Sequence, residues 1–64
     1  MKEGKKIKIL VNYRFHKAGH IGMIDEVLSE NEASVNMEWN NPNKAKSIIF
    51  IHMKHKGELW DFVD

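Results

Sequence analysis

The residues of this 64-residue chain best suited to chemistry at neutral pH are its four histidines. Imidazole changes charge near pH 6.5 and, when neutral, binds zinc, copper or nickel. The four fall in two close pairs, His16-x-x-x-His20 and His52-x-x-His55. Zinc sites in small domains usually draw on thiolates, however, and the chain has no cysteine. Surface histidines are the simpler reading, and no metal or cofactor is expected. Ser29, Ser34 and Ser47 stand in no Gly-x-Ser-x-Gly or similar activating context. Asp25 and Glu26 are adjacent carboxylates, but successive residues of a strand point to opposite faces, which leaves them poorly placed to share a substrate. No glycine-rich loop leads into a helix to hold phosphate. These residue types and spacings predict a chain that is not an enzyme.

Recognition chemistry is better represented. Tyr13 and Phe15 flank Arg14, and His16 and Lys17 follow. Aromatic rings stack on bases or fill pockets on partner proteins, and Tyr and Arg are enriched where binding energy concentrates. The expected binding residues are therefore Tyr13, Arg14, Phe15 and Lys17. Trp60 is either a further wall of that surface or a core plug, and its alternation with Leu59 and Phe62 does not decide between them. A second candidate set is the lysines Lys5, Lys6, Lys8, Lys44, Lys46, Lys54 and Lys56, which with Arg14 and Lys17 could face RNA or DNA phosphates. The net charge is only +1, but it is unevenly spread. Residues 1–20 hold six cations and one carboxylate, residues 21–40 five carboxylates and no Lys or Arg, and residues 41–64 four cations and three carboxylates. A nucleic-acid footprint would need the first and last segments to meet on one face.

The elements that must position these residues are short. Sixty-four residues make one domain, residues 1–64, with too small a core for a deep enclosed cavity. The longest apolar run, Ile48-Ile49-Phe50-Ile51, is four residues, against the roughly 20 of a membrane helix. No membrane association is expected, and the chain reads as cytoplasmic. Alternating polar and apolar residues predict strands at Lys5–Tyr13, His20–Leu28, Ala33–Trp39 and Lys46–Met53, with a short closing strand at Leu59–Val63. Asn40-Asn41-Pro42-Asn43 is the clearest loop. Ile21–Asn31 could also be read as a helix from Ile24, Val27, Leu28 and Asn31, but Gly19, Gly22 and the β-branched content favour a strand. The expected interior is Ile7, Ile9, Val11, Ile24, Val27, Val35, Met37, Ile49 and Ile51, with Trp39 at the core or its rim. Ile24 and Val27 are three apart, so both can face inward only across a bulge that resets the pleat.

Gly19-His20-Ile21-Gly22-Met23-Ile24-Asp25-Glu26-Val27 follows a lysine-rich strand, Gly4-Lys5-Lys6-Ile7-Lys8-Ile9, and precedes the alternating strand Val35-Asn36-Met37-Glu38-Trp39. Over residues 4–39 this resembles the KOW motif of ribosomal proteins and transcription elongation factors. The resemblance implies an all-β fold, a small five-stranded SH3-like partly open barrel. It implies RNA or DNA as one class of partner. A similar outline occurs in a small accessory subunit of photosystem I, a barrel that docks on other proteins. With near-neutral charge and only Lys17 near the first glycine, a protein partner is the leading expectation. In that reading the chain is an accessory or regulatory module, of the kind a phage directs at host machinery.

Overall fold

The computed structural model describes residues 1–63. Five strands, β1 (Lys6–Ile9), β2 (Ile21–Val27), β3 (Glu32–Asn36), β4 (Ile48–His52) and β5 (Trp60–Phe62), form one antiparallel sheet in the order β4-β3-β2-β1-β5. The sheet curls into a half-barrel, so the fold is all-β and compatible with the SH3-like class. A single 3-10 turn, Met53–His55, joins β4 to β5.

Alternation places the core. On β1, Ile7 and Ile9 are buried while Lys6 and Lys8 face out. Ile49 and Ile51 of β4 turn inward, and Phe50 between them is 69% exposed. These residues join Ile24, Ala33, Val35, Met37 and Trp60 in one cluster, against which Val27 and Phe62 pack. The expected bulge is present. Ile24 pairs with Val35 and Glu26 with Ser34, so Asp25 is the extra residue. The reset brings both Ile24 and Val27 to the inner side, and Asp25 meets Lys46 at 3.0 Å.

Gly22 pairs with Ile7 on β1. A Cβ built on it would lie 2.5 Å from both Met37 Sδ and Val35 Cγ1. A side chain there would have to displace these two buried residues.

Several boundaries differ from the expected ones. The first strand ends at Ile9, not Tyr13, and Val11 is 40% exposed rather than interior. Leu10 N–H still donates to Leu59 O at 2.8 Å, but from Asn12 the chain turns back, with Asn12 Oδ1 accepting from Ala18 N–H. The third strand ends at Asn36 rather than Trp39. Asn36 Oδ1 accepts from the backbone N–H of Glu38 and of Ser47, a local turn that competes with the ladder. Trp39 then sits at the core rim as expected, its Nε1–H donating to Ile21 O at 3.0 Å and Lys6 Nζ 4.7 Å from its ring. The second strand is one residue shorter at each end, and the fourth begins at Ile48. Met53 falls in the 3-10 turn, where His52 Nδ1 accepts from Lys54 N–H and draws the chain out of the strand.

Truncating Ile24 or Val35 to Ala should cost about 2–4 kcal/mol each, a large share of the ~5 kcal/mol available to so small a domain. Gly22→Val should destabilise by about 3 kcal/mol through forced repacking. Gly57→Ala has open space around it but a φ of +87°, and should cost only about 1 kcal/mol. Thermal melts of the four variants test this ordering, and equal melting temperatures for the two glycine variants would overturn the close-approach argument.

Candidate functional site

Beyond β1 the chain forms an arm that folds on itself. Tyr13 and His16 exchange two backbone hydrogen bonds, 2.8 and 2.9 Å, which leaves Arg14 and Phe15 as the two residues of a tight hairpin tip. Arg14 has φ +54°, the one positive φ outside glycine among the described residues. The first central residue of such a turn must take this conformation when the strands twist right-handed, and glycine is usual there. Phe15 is 98% exposed, and the Arg14 guanidinium lies 5.5 Å from the centre of the Tyr13 ring. His16 is tucked beneath the tip. It is buried, its Nε2 is 3.0 Å from Ser47 Oγ, and its ring meets that of His20 edge-on with centroids 5.0 Å apart.

Between this arm and β4 runs the open seam of the half-barrel. It holds a groove of about 150 Å³, lined by Ile9, Val11 and Tyr13 of β1 and the arm, Ile49–His52 of β4, and His55, Leu59 and Trp60. Among the described residues, arm and β4 exchange no backbone hydrogen bond. The seam is bridged by side chains instead. The His16–Ser47 contact lies at one end of β4, and at the other Trp60 Nε1–H donates to His52 O at 3.0 Å. Among the described residues, the exposed large apolar side chains are Val11, Tyr13, Phe15, Leu28, Phe50 and Leu59. Four of these line the groove, and Phe15 tips the arm that borders it.

The expected binding residues are thus partly gathered. Tyr13, Arg14 and Phe15 share the hairpin, and Lys17 is exposed just past it. Trp60 is only 2% exposed and belongs to the core, reaching the groove from inside. Val11, Phe50 and Leu59 are additions that the sequence reading did not select. For Phe50 a signal existed, because inward Ile49 and Ile51 require the residue between them to face out.

Among the described residues, two of the lysines are held in ion pairs. Lys46 pairs with Asp25 at 3.0 Å, and Lys56 with Asp61 at 3.4 Å. The Asp61 carboxyl is held below its ordinary value, first by the Phe62 backbone N–H and then by Lys56 and the charge of Lys8. Glu38 is likewise lowered, chiefly by its hydrogen bond from Asn41 and further by Lys44, His20 and His16. Lys5 lies over the Phe62 ring and Lys6 over Trp39. These ring contacts leave the charge in place, so that among the described residues Lys46 and Lys56 are the members of the expected set held in ion pairs.

The two histidine pairs are not brought together, since His16 meets Ser47 before β4 whereas His52 closes that strand. Among the described residues no group of three or more His, Asp or Glu is placed to hold a metal ion. No described helix is long and apolar enough to cross a membrane. Comparison of the chain with family models, curated proteins and solved structures finds no match.

Arg14→Gly should relieve the backbone strain and raise stability by about 0.5–1 kcal/mol. Arg14→Ala keeps the strain and should not. A melting temperature for Arg14→Gly at or below that of the parent would show that the turn is unstrained.

Proposed function

We propose that this chain is a small non-enzymatic binding module with a KOW-type SH3-like barrel, which docks on a larger protein or complex as an accessory or regulatory subunit. The observation that carries this reading is the gathering of Val11, Tyr13, Phe50 and Leu59 around one groove, with Phe15 fully exposed beside it. Apolar side chains collected on one face of a small domain mark an interaction site, whereas scattered ones do not. None of Val11, Tyr13, Phe15, Phe50 or Leu59 belongs to the buried core cluster. The strained Arg14 points the same way, because non-glycine residues held at positive φ concentrate at ligand-binding segments. The close approach at Gly22 behind a lysine-rich strand supports the KOW-type assignment. A net charge of only +1 favours a protein partner over RNA or DNA, since phosphate binding needs an excess of cations to replace counterions. A phage-type protein acting on host machinery in the cytoplasm is a natural setting for such a module.

The test is capture from cell lysate by the tagged full chain, with and without nuclease, at low salt and at about 0.5 M salt. Apolar anchoring resists screening, so a protein should remain bound in both conditions, and the double change Tyr13→Ala with Arg14→Ala should release it while the melting temperature stays near the parent's. Loss of the captured material on nuclease treatment or at ~0.5 M salt would overturn the reading in favour of nucleic acid. Unchanged capture by the folded double variant would remove the hairpin from the site.

A further inference from the structure

β4 is an edge strand, bonded on one side only, to β3. Its alternation of bonded and free residues follows from the flanking contacts. Met37 N–H donates to Ser47 O, and Met53 N–H to Asn31 O, both at 2.8 Å, while Val35 pairs with Ile49 and Ala33 with Ile51. In an antiparallel ladder every second residue turns its N–H and C=O toward the partner strand. Ile49 and Ile51 therefore face β3, and Ile48, Phe50 and His52 direct theirs off the edge. His52 O is taken by Trp60 Nε1. Among the described residues nothing bonds the backbone of Ile48 or Phe50 on that outer side. Two N–H and two C=O groups thus stand free at two-residue spacing, the spacing an extended peptide presents.

The groove adjoins this edge, and a cavity near 150 Å³ is about what a benzene-sized group occupies. Its lining includes His52 and His55 and no carboxylate. Beside it, the Arg14 guanidinium lies 5.5 Å from the ring of Tyr13, which lines the groove. The groove thus has a guanidinium at its border and no carboxylate in its lining. Resting on the docking reading above, we propose that the partner enters the seam as an extended peptide segment. It adds a strand along Ile48–Phe50, seats one large apolar side chain in the groove, and carries an acidic residue beside that anchor.

The test uses a displayed library of random eight-residue peptides selected on the full chain, with the best binder then made synthetically. Enriched peptides should share one Leu, Ile, Phe or Trp with Asp or Glu within two residues of it. N-methylation of alternate peptide amides should weaken binding about tenfold or more, as expected for losing two backbone hydrogen bonds. Phe50→Pro removes an outward N–H, at a position where an edge strand accepts proline, together with a groove-lining ring; measured against Phe50→Ala, which removes the ring alone, it should cause a similar further loss. Val11→Asp should weaken binding further by repelling the acidic residue. Should Phe50→Pro fail to fold, the N-methylated peptide decides. Four results would overturn the proposal: no enrichment, binding indifferent to N-methylation, displacement of the peptide by a single-stranded oligonucleotide, or a dimer in sedimentation that buries the same edge and excludes the peptide. If peptide selection fails while the Tyr13 and Arg14 changes still abolish protein capture, docking stands and strand addition falls; if both fail, the docking reading falls too.

Discussion

A five-stranded sheet this short can curl only partway round, and the contact that holds its two edge strands together is the Trp60 indole. Trp60 begins β5, is almost wholly buried, and donates Nε1–H to the carbonyl of His52 at the end of β4. Burying a tryptophan removes roughly 200 Å² from water, worth about 5 kcal/mol, comparable to the whole stability of a small domain. The hydrogen bond is needed as well, since a buried indole N–H without a partner would cancel much of that gain. Phe62 stacks edge-on against the same ring at 5.1 Å, and Ile9 of β1 pairs with Trp60 across the ladder. Core, closing strand and barrel edge are thus joined through one side chain.

Closure by a side chain rather than by a ladder has a consequence along the rest of the seam. β4 and the arm are tied at their ends, by Trp60–His52 and His16–Ser47, and stay apart between. An unpaired strand edge is normally blunted by charge, proline or a covering segment. Here the edge residue Phe50 is apolar and exposed, and the surface beside it is apolar too. The arm is well made in its own right, with its paired hairpin hydrogen bonds and the Asn12–Ala18 bond across its base. An exposed face carried on a hydrogen-bonded hairpin has fewer conformations to lose on binding, which is the physical advantage of preorganisation.

The charges act differently. Asp25, from the acidic middle of the sequence, meets Lys46, and Asp61 meets Lys56 within the C-terminal segment. These pairs are solvent-exposed and contribute little to stability. Their effect is on recognition, because they take Lys46 and Lys56 out of the set of unpaired cations.

How much was legible in the sequence depended on the range of the interaction. Period-2 alternation located all five strands and most of the core, since side-chain direction on a strand is a local property. The three-residue spacing of Ile24 and Val27 even required the bulge that appears at Asp25, and Tyr13, Arg14 and Phe15 were marked as a recognition tip by type and adjacency. Strand ends were not legible, because Asn36, Asn12 and His52 stop or turn the chain by side-chain bonds whose partners depend on the local path. Nor was the choice between core and surface for Val11 and Trp60. The sequence by itself determined an all-β chain with a given inner face and one aromatic–basic tip. Only the tertiary structure decided that the barrel stays open between β4 and the arm, with Trp60 inside and Val11, Phe50 and Leu59 along the gap, because which edges meet is fixed by sheet curl and contacts between residues far apart in the chain.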